Sequence, residues 1–116
     1  MAEQTGMNVY VPNIIYGREK YEYHAITCGV FRNKKDALHA LIRKLVYMEW
    51  ICPEYIFEES HTYGGVELKA GDNEHNIQVL CNHANTMEDV EDICNKFNDS
   101  FYGDGWDIEV KEFQLQ

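Results

Sequence analysis

The chain has 116 residues, 45% hydrophobic and 13% aromatic, and carries 20 acidic against 10 basic side chains for a net charge of −10. That is enough length and apolar content for one domain with its own core, too little for two, and it excludes a disordered protein. No run approaches the roughly 18 apolar residues that a membrane span requires.

Residues 1–7 read as a flexible arm ahead of a single α+β domain over 8–116. The opening MAEQTGMNVYVPN has neither a basic start nor a continuous apolar core. No signal peptide is therefore expected, and the protein is expected to remain intracellular. Asn8 to Ile15 is rich in β-formers. Pro12 cannot donate to a ladder, which predicts an edge strand or two short pieces. Tyr16 to Lys20 reads as a turn. Tyr21 to Phe31 alternates without either side being cleanly polar, which predicts a central strand bent at Gly29.

A long amphipathic helix follows. Asn33 occupies the N-cap position and Asp36 complements the positive end of the helix dipole. Leu38, Leu41, Ile42, Leu45 and Met48 form one apolar stripe, widened by Val46 and Trp50, with Arg43 and Lys44 outside it. Burying four or five such side chains contributes on the order of 1.5–3 kcal/mol each. Pro53 is the expected stop.

Between Glu54 and Ala70, Tyr55-Ile56-Phe57 and Val66 to Lys69 read as a hairpin across His61 to Gly65, with a short helix over Glu54 to Ser60 as the alternative. Ala70 to Asn76 reads as a polar loop and Ile77 to Asn82 as a compact strand. Thr86 and Asp89 make a capping box for a second helix striped by Val90, Ile93, Cys94, Phe97 and Phe101. Gly103-Asp104-Gly105 ends that region, and Trp106 to Gln114 alternates as a strand covered on one side. The predicted order is ββα(ββ)βαβ. It implies an α+β two-layer sandwich, a mostly antiparallel sheet with two helices on one face.

Charge is distributed unevenly. Residues 1–52 hold seven basic and five acidic side chains, whereas residues 53–116 hold three basic and fifteen acidic ones. An acidic half repels nucleic acid and anionic membranes and attracts basic partners. The residues expected to meet such a partner are Glu88, Asp89, Glu91, Asp92, Asp104 and Asp107, with Tyr102 as an aromatic anchor.

Signatures of chemistry are sparse. Cys28, Cys52, Cys81 and Cys94, without a secretion signal, read as reduced core thiols. Cys81 and His83 would share a strand face, with Cys94, His75 and His61 as further candidates, but no paired ligand spacing accompanies them, and no metal is expected. Cys52 at a helix C-terminus and Cys28 two strand pitches from His24 are poor nucleophiles. Gly64-Gly65 and Gly103-Asp104-Gly105 lack the strand–glycine–helix order of a phosphate cradle. Arg32, Lys34 and Lys35 are weak support for nucleic-acid binding in so acidic a chain. No cofactor, catalytic residue, nucleic acid or membrane contact is expected.

The tyrosine-rich strand, Gly29-Val30-Phe31, a polar turn and Lys34-Lys35-Asp36-Ala37-Leu38 opening a helix form a recognisable order over Tyr21 to Leu45. It resembles small uncharacterised proteins of large double-stranded DNA viruses, giant viruses among them, and of phages. The resemblance implies a strand end, capped turn and helix start, and no catalytic residue. The expected function is a non-enzymatic protein-interaction module, a viral accessory or virion component whose acidic C-terminal half binds a basic protein surface. The alternatives are a DNA mimic that inhibits a nucleic-acid-binding protein, and a small cysteine- or metal-dependent enzyme. Homodimerisation through an edge strand, the Pro12 strand or the C-terminal one, is compatible with each.

Overall fold

A computed structural model describes residues 7–17, 24–53, 62–98, 102–103 and 105–115. Its elements are β1 (Met7–Tyr16), β2 (His24–Thr27), α1 (Lys34–Tyr47), β3 (Thr62–Tyr63), β4 (Val66–Glu67), α2 (Asn73–Cys81), α3 (Met87–Phe97) and β5 (Trp106–Leu115). The strands β2, β1 and β5 form an antiparallel sheet in that spatial order, and β3 pairs with β4. The α+β layering expected from the sequence is the one found. α1 covers the sheet face that carries Ile14, Ile108 and Trp106, and α2 and α3 pack against α1.

The Pro12 strand is central, not an edge. β1 runs unbroken for ten residues and pairs with β5 along its whole length. Proline is tolerated because its missing N–H faces the side where the β2 ladder ends. The Pro12 carbonyl still accepts from Cys28 N at 2.8 Å, and Tyr10 exchanges both backbone bonds with Phe31. Between those two contacts Val11 faces Gly29 and Val30, one residue against two, which is a β-bulge. Gly29 supplies the bend with φ of 128°. β2 is correspondingly a four-residue edge strand, not the central one expected, and Tyr21 to Tyr23 lie outside the described residues.

α1 begins as expected, with Asn33 accepting from Lys35 N at 2.8 Å. Leu38, Leu41, Ile42 and Leu45 are fully buried, but Met48 is 39% exposed because the helix stops at Tyr47, well before Pro53. The stop is a Schellman turn. Trp50 N donates to Leu45 O and Glu49 N to Val46 O, with Glu49 in the left-handed region at φ 60°. A side chain there costs roughly 1–2 kcal/mol relative to glycine in the folded state, partly offset by the freer unfolded glycine. Glu49→Gly is expected to stabilise the protein by about 0.5–1 kcal/mol, seen as a higher urea midpoint at unchanged slope.

The region read as a polar loop followed by a strand is instead α2, so the described residues form three helices where two were expected. Asp72 caps it by accepting from His75 N, and Ile77, Leu80 and Cys81 recur at helical spacing in the core. The turn into α2 is held by Asn76, whose buried amide accepts from Lys69 N and donates to Lys69 O, both at 2.8 Å. In the predicted hairpin, Val66-Glu67 does turn back across Gly64-Gly65, but its partner is Thr62-Tyr63. Tyr55 to Phe57 lie outside the described residues. Both turn glycines have positive φ, 59° and 83°, as a two-residue hairpin of this kind requires. Gly64 also lies so close to the His83 ring that a Cβ would fall 2.0 Å from Nε2.

α3 carries the predicted capping box. Thr86 Oγ1 accepts from Asp89 N at 3.1 Å, and Asp89 Oδ2 accepts from Thr86 N at 3.0 Å. Val90, Ile93 and Cys94 are buried and Phe97 is half-buried, while Phe101 lies outside the described residues. The exits of α1 and α3 are tied together, Cys52 N donating to Phe97 O at 2.9 Å. Along β5, Trp106 and Ile108 are buried and the far end from Lys111 onward is exposed. Among the described residues no helix is long and apolar enough to cross a membrane.

Candidate functional site

Two surfaces stand out, one acidic and one concave. On α3, Glu88, Glu91 and Asp92 fall three and four residues apart, on the face opposite Val90 and Cys94. All three are exposed, and none forms an ion pair among the described residues. Asp89 differs. Its carboxylate is taken up by the backbone amides of Asn85 and Thr86, which hold its pKa below the usual carboxylate range. It is a capping residue rather than a docking one.

The acidic groups converge on two tyrosines. Tyr102 is half-buried and packs on Trp106 with ring centroids 4.9 Å apart. Burial pushes its hydroxyl pKa up, and the carboxylates of Asp107 and Glu91 add to the rise. Asp107 also accepts from Ile108 N at 2.8 Å. Tyr63 packs edge-on to Phe97 and His83, and its pKa is raised by burial and then by Asp92 and Asp89. The acidic α3 face is therefore framed by Tyr63 on one side and by Tyr102 with Asp107 on the other. Asp104 lies outside the described residues.

Cys81 and His83, weighed as metal ligands and set aside, do not share a strand face. Cys81 ends α2, His83 follows in the turn beyond it, and His75 Nε2 is hydrogen-bonded to Glu67 O. Among the described residues no group of three or more His, Cys, Asp or Glu side chains could hold a metal ion. The thiols are poor nucleophiles for a physical reason. Burial raises Cys28, pushes Cys81 up to about 11 and Cys94 up to about 12, so all three stay protonated at neutral pH.

The concave surface was not legible in the sequence. A cleft of about 740 Å³ opens between α1, α2 and the segment leaving β2. Its floor includes Phe31, Ala40, Ile77 and the thiols of Cys28 and Cys81, and its rim carries Arg43, Lys44 and Tyr47. Arg43 Nη1 reaches both carboxylate oxygens of Glu74, at 3.0 and 2.7 Å, and Tyr47 donates to the same carboxylate. Lys44 forms no ion pair among the described residues. His39 on the same wall keeps its Nε2 buried with no hydrogen-bond partner among them. The cleft joins residues 27–47 to residues 77–81, and no ligand-binding motif marks either stretch.

Compared with protein-family models, with curated proteins and with solved structures, the chain matches none.

Proposed function

We propose that the protein is a non-enzymatic interaction module that docks the acidic α3 face, with Tyr63 and Tyr102 at its margins, onto a basic surface of another protein. The observation that carries this reading is the gathering of Glu88, Glu91 and Asp92 on one exposed helix face with no ion pair among the described residues. Like charges so placed repel one another, and a basic surface would relieve that repulsion while tyrosines at the margin bury apolar area. The resemblance over Tyr21 to Leu45 suggests the setting: an accessory or virion protein of a large double-stranded DNA virus, acting in the host cytoplasm or the particle.

The test is a triple reversal, Glu88→Lys, Glu91→Lys and Asp92→Lys, which leaves the capping Asp89 in place. A partner recovered from nuclease-treated host lysate at low salt is expected to bind the variant at least tenfold more weakly. The fold should be retained because all three side chains are exposed, with a loss of about 0.3–1 kcal/mol from placing a lysine for Glu88 in the first turn of α3. Unchanged partner binding would overturn the reading. Competition by duplex DNA for the same partner would move the assignment to the DNA-mimic alternative, since a phosphate imitator must share its site with phosphates.

A further inference from the structure

The cleft between α1 and α2 has the size of a small-molecule site, within the roughly 300–1,000 Å³ that such pockets occupy. Its chemistry is asymmetric. The floor is apolar and uncharged, since burial keeps the Cys28 and Cys81 thiols protonated. The Phe31 ring forms part of one wall, and the short Ala40 side chain leaves room on the α1 side. Of the two cations at the rim, Arg43 is already matched by Glu74, whereas Lys44 has no anionic partner among the described residues. Lys44 lines the cleft with its side chain exposed at the rim, and its charge acts on the Cys28 thiol on the same wall.

Asp36 lines the cleft from the first turn of α1, two helical turns before Lys44. A ligand bearing two separated anionic groups would meet that carboxylate. A single anionic head at the Lys44 end would not. The amide of Gln78 on the α2 wall offers both a donor and an acceptor to the body of such a ligand.

We propose that this cleft binds a small molecule with an apolar, ring-containing body and one anionic head group, a carboxylate, sulfonate or phosphate, with the head at Lys44 and the body against Phe31, Ala40 and Ile77. This site is independent of the acidic α3 face. In a chain of net charge −10, a lysine with no ion pair among the described residues, on the rim of a concave apolar wall, is the feature that selects an anion locally, because low-dielectric walls strengthen its field.

The probe for the test is 8-anilinonaphthalene-1-sulfonate, a single anion on an aromatic body, titrated by fluorescence against the full chain. Saturable binding at one molecule per chain is expected. Lys44→Glu should weaken it at least tenfold, and Ala40→Trp, which fills the floor, should abolish it with the circular dichroism spectrum unchanged. The uncharged analogue N-phenyl-1-naphthylamine should bind at least tenfold more weakly than the sulfonate to the unmodified chain and be insensitive to Lys44→Glu. Absence of saturable binding, or sulfonate affinity unaffected by Lys44→Glu, overturns the proposal. If Ala40→Trp fails to fold, Lys44→Glu alone decides, since that side chain is exposed and outside the core.

Discussion

Replacing Trp106 by alanine is expected to cost about 3–5 kcal/mol, a fifth or more of the roughly 5–15 kcal/mol that stabilises a typical domain and as much as all of it at the lower end of that range. Trp106 is 1% exposed and starts β5 where sheet, α3 and the Tyr102 turn meet. Its ring stands perpendicular to Trp50 at 5.2 Å and is tilted against Tyr102 at 4.9 Å. Truncation removes the transfer energy of the largest buried side chain and leaves a cavity beneath both aromatic neighbours, neither of which can collapse without leaving its own packing. The indole N–H is buried with no hydrogen-bond partner among the described residues. Trp106→Phe therefore sheds an unmatched donor while keeping an aromatic ring, and should cost less than about 2 kcal/mol. Urea midpoints of the two variants at a common slope give the comparison. Equal losses would mean that the indole N–H is satisfied after all.

Asn76→Ala is expected to cost about 2–3 kcal/mol, though the side chain is small and polar. The residue is 0% exposed, and its amide makes both hydrogen bonds that the Lys69 backbone offers towards it. Alanine leaves the Lys69 N–H facing a buried methyl group, while the Lys69 carbonyl keeps only its bond from Asp72 N at 3.1 Å. Without that clasp the turn from β4 into α2 keeps only the Asp72 N to Lys69 O bond and the Asp72 cap, and a nine-residue helix cannot hold itself by propensity. Amide hydrogen exchange over Ile77 to Cys81 should quicken more than exchange over α1. A uniform acceleration across both helices would place the damage in global stability instead.

What could be read from the sequence follows from how each element is exposed. α1, α3 and β5 each bury one side only, so Leu38 to Leu45, Val90 to Cys94 and Trp106 to Ile108 show their period, and Asn33 and Thr86 mark the helix starts. α2 hides its period because Asn76, Ile77, Val79, Leu80 and Cys81 are all buried. A short apolar run of that sort is equally consistent with a strand. The helix cue lay in Asp72 and Asn76, which resemble loop residues until their partners are known. Pro12 misled for a different reason. The rule against proline in a central strand assumes a ladder on both sides, and the bulge at Gly29-Val30 removes the bond that proline cannot make. For the acidic residues, the sequence supplies the count but not their convergence on Tyr63 and Tyr102. The cleft needs residues from 27 to 81 brought together, and so leaves no local trace.

The pairing of β1 with β5 sets the order of events when the chain folds. Its closest pair in sequence, Tyr16 with Trp106, spans 90 residues, and its most distant, Met7 with Leu115, spans 108. Closing a loop of that length costs roughly 4 kcal/mol in chain entropy beyond the fixed cost of contact, to be met before any ladder bond forms. Until then β1 has only its four pairs with β2, the Cys28 N to Pro12 O bond and the Tyr10–Phe31 bridge. Local helices can come and go in microseconds during that wait, and collapse of α1, α2 and α3 supplies the surface on which the two strands find each other. On a ribosome the central strand, although made early, stays half-paired until residues 106–115 emerge.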